Sequence, residues 1–170
     1  MTFSAGQQFP SGVKFVHVPF QAGDDDPAAC GIPQPYDCDK ELPNKKVVIV
    51  AVPGAFTPTC TANHIPPYVS KFKDFKAKGV DDVIVLAAND PFVMAAWGKV
   101  LKNQGLIFAS DGNASFSKAG GFDLDLTAKG MGERTARYAL IVDHGKITYA
   151  QKEPGSEVTV SGADAVLAAL

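Results

Sequence analysis

Two unbroken β-branched runs organise the chain. Val47-Val48-Ile49-Val50-Ala51-Val52 and Val83-Ile84-Val85-Leu86-Ala87-Ala88 show no polar alternation, the pattern of strands buried on both faces of a sheet. Pro53-Gly54 ends the first run. Between the runs, Ile65, Val69, Phe72 and Phe75 recur at helical spacing and predict a helix over about 58–78, with Gly79 as its C′ residue. Pro66 and Pro67 fall inside it and predict a kink or break. Asp90 reads as an N-cap with Pro91 at the first helical position, and Val93, Met94, Trp97, Val100 and Leu101 form the apolar face of the helix they open. Gly105 stops that helix. A short strand at 106–109 and a helical turn at 114–119 follow. Ala136 to Val142 and Lys146 to Ala150 flank Asp143-His144-Gly145, a hairpin signal. Ser161-Gly162-Ala163-Asp164 matches a helix-starting cap. Residues 1–45 are irregular by comparison. Asp24-Asp25-Asp26-Pro27 reads as a charged turn, Pro33, Pro35 and Pro43 punctuate the segment, and only Val13 to Pro19 predicts a strand.

The resulting order is β-α-β-α-β, a turn of helix, a hairpin and a last helix. Parallel βαβ units followed by an antiparallel hairpin describe an α/β fold, a thioredoxin-like sandwich with a mixed central sheet flanked by helices and an N-terminal extension. At 170 residues, one domain spanning 1–170 is expected, with 1–45 as an arm packed on it. Sixteen Lys+Arg against 18 Asp+Glu leave a net charge of −2, with no basic excess to neutralise phosphates, so nucleic acid is not an expected partner. The apolar runs fall far short of the ~20 residues of a membrane span, so no membrane role is expected either. The first eight residues lack the charged and apolar regions of a signal peptide, and three cysteines do not make a disulfide-stapled domain. These features predict a cytosolic protein.

Candidate chemistry lies where the first buried run passes into a helix, at Val52-Pro53-Gly54-Ala55-Phe56-Thr57-Pro58-Thr59-Cys60. A cysteine in the first turn of a helix meets unpaired N–H groups and the positive end of the dipole, which favour thiolate. In a thioredoxin-like fold a C-x-x-C redox pair would sit here, but this chain has Thr57-x-x-Cys60. A hydroxyl replaces one thiol and leaves a lone nucleophile. Such a thiolate can attack a carbonyl, a disulfide or a peroxide O–O bond. Carbonyl chemistry calls for a base, for which His64, one turn on, is the candidate. Peroxide reduction calls for donors that place both oxygens and stabilise the leaving alkoxide. An unperturbed thiol is roughly 3% ionised at pH 7, so full ionisation raises the reactive species by at most about 30-fold. A fast thiol peroxidase therefore depends on the groups around its sulfur more than on ionisation.

These residues resemble the peroxiredoxins, whose signature Pro-x-x-x-Thr/Ser-x-x-Cys stands complete as Pro53, Thr57 and Cys60. The continuation His64-Ile65-Pro66, with Asn89-Asp90-Pro91-Phe92 and Arg137-Tyr138-Ala139-Leu140-Ile141-Val142, resembles the type II subfamily, including fungal and plant alkyl hydroperoxide reductases. The resemblance implies a thiol-dependent peroxidase acting on hydrogen peroxide and alkyl hydroperoxides. Cys60 would become the sulfenic acid, Thr57 would hold the peroxide, Pro53 would shield the intermediate, and Arg137 would polarise the peroxide. Arg134 is the second choice for that last role, against a reading as a solvated loop charge. The resemblance implies no metal, haem or flavin, a homodimer, and thioredoxin as reductant, with glutaredoxin or glutathione as alternatives.

Some type II members carry a resolving cysteine near the position of Val160, which this chain lacks. Ala29-Cys30-Gly31-Ile32-Pro33-Gln34 resembles the fungal stretch whose cysteine resolves across a dimer. Cys30 is therefore the favoured resolving thiol, with Cys38 or an external thiol as alternatives. No counterpart of the Gly-Gly-Leu-Gly loop appears, so resistance to overoxidation is expected. His17 and His144 read as arm and hairpin-tip residues, and Trp97 and Phe92 as core or dimer-contact aromatics. The cysteine and histidine spacings do not match a zinc site. A thiol–disulfide oxidoreductase and a holdase are the rival functions. Ala168-Ala169-Leu170 lacks the basic middle residue of a peroxisomal address, which disfavours that compartment.

Overall fold

The computed structural model describes residues 2–170. A seven-stranded mixed sheet runs in the order β2-β1-β5-β4-β3-β8-β9. Its centre is parallel, with β3 (Lys46–Ala51), β4 (Asp82–Ala87) and β5 (Ile107–Ser110) side by side. β8 (Tyr138–Asp143) and β9 (Lys146–Lys152) extend it antiparallel on one side, and β1 (Lys14–His17) and β2 (Gln34–Asp37) on the other. A period of two splits each central strand between two cores. Val48, Val50, Val83, Val85, Ala139 and Ile141 join the core beneath the first two crossover helices, together with Cys60, Ile65, Tyr68 and Trp97. Val47, Ile49, Ala51, Ile84, Leu86, Tyr138 and Leu140 face the other core, with Phe15, Tyr36 and Phe116. Burial on both faces accounts for the unbroken apolar runs of β3 and β4.

The helix expected over 58–78 is broken into pieces. A π turn, Cys60–His64, leads into α2 (Ile65–Ser70) and α3 (Phe72–Ala77), with Lys71 as the joint (α1 is the short Cys38–Glu41). Pro66 and Pro67 bring no N–H to the preceding turn, and their rings push its carbonyls away, so the turn widens to the Ile65 N–H to Cys60 O bond. Gly79 ends the helix at φ +81°, as the sequence predicts. Asp90 caps α4 (Pro91–Val100), its Oδ1 accepting from Phe92 N at 2.9 Å and Val93 N at 3.0 Å. His144 and Gly145, both at positive φ, make the two-residue turn between β8 and β9.

Several elements depart from the sequence reading. Region 1–45 holds β2, α1 and a 3₁₀ turn, Leu42–Asn44, besides the expected strand. Pro35 sits in β2, an edge strand that pairs only with β1, where a sheet tolerates proline. A second, two-stranded sheet, β6 (Asp123–Leu126) with β7 (Gly132–Thr135), lies between α5 (Ser115–Ala119) and β8. The helix α6 (Ala163–Ala169) has Gly162, not Ser161, at its N-cap, and the Ser161 side chain turns inward instead. Among the described residues, no helix is long and apolar enough to cross a membrane.

Asp90→Ala removes both cap bonds of α4 and is expected to lower stability by about 1 kcal/mol. Urea unfolding would show this as a lower midpoint at unchanged slope. An unmoved midpoint would contradict the capping role.

Candidate active site

β3 ends at the edge of the sheet where β8 begins. Ala51 pairs with Tyr138, so the next residues outward, Val52 and Arg137, meet at that edge. Arg137 shares the parity of Ala139 and Ile141 and therefore points into the core that contains Cys60. Its backbone continues the ladder, with the Glu153 N–H donating to the Arg137 carbonyl at 2.8 Å.

The loop after β3 is held from several directions. The Thr135 hydroxyl donates to the Val52 carbonyl at 2.5 Å. Asn89 Oδ1 accepts from the Ala55 N–H at 2.9 Å, and Arg134 Nη1 lies 3.4 Å from both the Pro53 carbonyl and Asn89 Oδ1. A Cβ at Gly54 would meet Arg134 Nη1 and Thr57 Cγ2 at 3.1 Å each, so a larger residue there would make both side chains shift by a few tenths of an ångström. Phe56 takes φ +60°, a conformation that costs a non-glycine residue on the order of 1 kcal/mol and is tolerated where the surroundings fix the loop. The Thr57 hydroxyl donates to the Gly54 carbonyl at 2.8 Å. With its proton committed, its oxygen remains free to accept from a bound hydroxyl or hydroperoxide.

Cys60 is only 1% exposed, and Arg137 Nη2 donates to its Sγ at 3.4 Å. Arg137 Nη1 donates to His64 Nδ1 at 2.8 Å. A guanidinium only donates, so Nδ1 carries no proton and the neutral imidazole holds its proton on Nε2. That Nε2 lies 2.8 Å from the Ser161 carbonyl, which also accepts from the Tyr68 hydroxyl at 2.6 Å. Burial, and then the positive Arg137, push the His64 pKa down to about 4, against the opposing pulls of the Ser161 carbonyl and Glu153. Both ring nitrogens are thus occupied, and His64 has no lone pair to serve as a base for Cys60. Its role is orientation. The Trp97 indole N–H, donating to the Thr61 hydroxyl at 3.2 Å, pins the outer side of the π turn.

The sequence-predicted residues are brought together unequally. Cys60 and Arg137 are in contact, and Pro53 and Thr57 lie in the loop that leads to them. Arg134 sits on β7, half-buried, with its Nε donating to the Met131 carbonyl at 2.7 Å. It braces the Pro53 loop and is no solvated loop charge. Cys30 stands apart and exposed in the 18–33 loop, which Lys99 on α4 holds by bonds to the Asp26 and Ala29 carbonyls. Cys38 is buried, and burial together with Asp39, Asp37 and Glu41 pushes its thiol up to about 12. The sequence reading missed Asn89, Tyr68, Glu153 and Ser161 as parts of the site. Only the adjacency of Asn89 to the Asp90 cap, at the end of β4, could have signalled one of them.

A buried cysteine beneath a guanidinium, at the first crossover of a thioredoxin-like sheet, is an arrangement suited to a thiol-based oxidoreductase. Residues 4–167 match the model of the Redoxin family. The chain is 56% identical to a protein of Lipomyces kononenkoae named as a peroxisomal peroxiredoxin, over 96% of this chain and 98% of that one. It is 47% identical to peroxiredoxin Pen c 3 of Penicillium citrinum, over 98% of each. The structure of reduced Prx3 from Vibrio vulnificus in complex with hydrogen peroxide superposes with a TM-score of 0.86 at 36% identity, covering 99% of both chains. The chain belongs to the Redoxin family and, within it, to the type II peroxiredoxins. It is a thiol peroxidase that reduces peroxides at the expense of thiols.

The depressed His64 gives acid sensitivity with a defined sign. Its pKa is about 4 folded and about 6.5 unfolded, so the unfolded chain binds the extra proton between these values. Stability is full above pH 6.5 and falls as pH drops from 6.5 to 4, by up to about 3 kcal/mol. Urea unfolding of wild type and His64→Gln at pH 7 and pH 4 is expected to show a smaller loss in the variant. Equal losses would contradict a buried neutral imidazole.

Proposed function

We propose that Cys60 is the peroxide-attacking thiol of this peroxidase, working under Arg137 with Thr57 and Pro53. The observation that carries the reading is the 3.4 Å contact of Arg137 Nη2 with the buried Cys60 Sγ. The sulfur attacks one peroxide oxygen along the O–O axis. An S–O bond forms, the O–O bond breaks, and the leaving oxygen departs as water or an alcohol once protonated. Arg137 donates to the oxygens as charge moves onto them, and the free lone pairs of Thr57 accept from the peroxide O–H. Pro53, at the mouth of the loop, keeps the sulfenic acid from water.

The sulfenic acid is then condensed with a second thiol, releasing water. Cys30 is the thiol we assign. It is exposed and in a loop, whereas Cys38 is buried and its proton is held up to about pH 12. Cys60 is 1% exposed, so joining it to Cys30 requires the π turn to open, and Cys30 of a second copy is the supplier we favour. Exposed Phe56 and Phe92 offer apolar surface for such a homodimer. Thioredoxin is our choice of reductant. Our reading of location stays cytosolic, against the peroxisomal name of the Lipomyces relative.

In single-turnover oxidation by hydrogen peroxide, Cys60→Ser is expected to abolish the reaction. Arg137→Gln should slow it by roughly 10²–10³-fold and Thr57→Val by at least about tenfold. Mapping of the oxidised protein should show a Cys30–Cys60 disulfide that is lost in Cys30→Ser. Full activity in Cys60→Ser would overturn the nucleophile, and a bridge to Cys38 would overturn the resolving thiol.

A further inference from the structure

The path that orients Arg137 does not end at His64. It runs on to a carboxylate just past β9. Glu153 is 6% exposed, and four donors converge on it. Its Oε1 accepts from the Thr159 N–H at 2.7 Å, the Ser161 N–H at 2.8 Å and the Ser161 hydroxyl at 2.8 Å, and its Oε2 accepts from the Thr159 hydroxyl at 2.6 Å. Burial alone would raise this carboxyl, but the bonds from Thr159 and Ser161 outweigh it and hold it below the ordinary range. The ionised group clamps the end of the loop that leads into α6. The clamp fixes Ser161, whose carbonyl receives His64 Nε2, while Nδ1 of the same ring receives Arg137.

We propose that Glu153 and Ser161 are positioning residues for the peroxide reaction, acting through the His64 tautomer on the direction in which Arg137 presents Nη2 to Cys60. No proton travels along the chain; each link only selects the donor–acceptor sense of the next. If Ser161 drifts, the Nε2 proton of His64 loses its acceptor in a dry site, where an unpaired donor is costly. The ring then recovers a partner by changing tautomer or turning. A proton on Nδ1 would set two donors against each other, and the guanidinium would swing away from the sulfur. The inference rests on Cys60 being the reacting thiol. It makes the segment before α6 part of the machinery and not a mere connection.

The test is single-turnover oxidation of the reduced full chain by hydrogen peroxide. Wild type, Glu153→Gln and Ser161→Ala would be compared, each also in an Arg137→Lys background, with thermal melts alongside. Glu153→Gln is expected to slow oxidation about tenfold and Ser161→Ala about threefold. In the Arg137→Lys background both effects should shrink to less than about twofold, because the group they act through is gone. Nitrogen-15 spectra should show mixed His64 tautomers in Glu153→Gln, a change that general loosening would not produce. Wild-type rates in both variants, or the same fold-loss in both backgrounds, would overturn the proposal. Ser161→Ala deletes one hydroxyl, which lies 2.8 Å from Glu153 Oε1 and 3.2 Å from His64 Nε2, and wild-type oxidation in it would overturn the proposal even if Glu153→Gln does not fold. A wild-type chain that peroxide does not oxidise at Cys60 would remove the underlying reading instead, a separately recognisable result.

Discussion

The hydrogen bond from Arg137 to His64 is the constraint on which the site depends. Arg137 is 7% exposed, and among the described residues no carboxylate lies within ion-pair distance of its guanidinium. A buried cation without a counterion is expensive unless its donors are matched and its charge is useful. Here one donor is matched by a neutral imidazole and another by sulfur. A carboxylate in place of His64 would neutralise the guanidinium and weaken its pull on developing negative charge. The imidazole gives direction without neutralising. That arrangement suits chemistry in which charge moves from sulfur onto oxygen.

The sheet delivers this arrangement by register and parity. Pairing of Ala51 with Tyr138 places the end of β3 beside the start of β8, and the two-residue period turns Arg137 to the side occupied by Cys60. Much of this was legible in the chain. The unbroken runs of β3 and β4, the Asp90-Pro91 start of α4, the His144-Gly145 turn and the spacing of Pro53, Thr57 and Cys60 each express a local rule that the tertiary structure obeys. Arg137, Ala139 and Ile141 stand at alternate positions, so even the facing of Arg137 could be read once the strand was recognised.

The illegible parts are those where a local signal served a distant partner. Ser161 has the residue type and spacing of an N-cap, but its hydroxyl is bonded to Glu153, eight residues back, and Gly162 begins the helix. Pro35 reads as punctuation because a strand interior excludes proline, a rule that lapses at a sheet edge. Asp123-Leu124-Asp125-Leu126 does alternate, yet its partner lies beyond a tight turn at Gly130, and neither strand joins the main sheet. Arg134 looks like a surface charge in sequence and braces the Pro53 loop only because that hairpin folds over it.

In the resolving step we propose, the burial of Cys60 and the exposure of Cys30 set two demands that one rigid structure does not meet together. On that reading the sulfur is sheltered while peroxide is attacked, and the turn that carries it opens for Cys30 to reach it. The π turn, weakened by Pro66 and Pro67 and continued by an α2 that itself breaks at the irregular Lys71, is the element best placed to satisfy both.

The most direct test of the central constraint is nitrogen-15 NMR of the His64 imidazole in the reduced protein between pH 8 and pH 5. A neutral ring with Nε2 protonated and Nδ1 bare throughout is the result this account predicts. A proton on Nδ1, or an imidazolium at neutral pH, would contradict it, because Arg137 could then neither be held by His64 nor be aimed by it at Cys60.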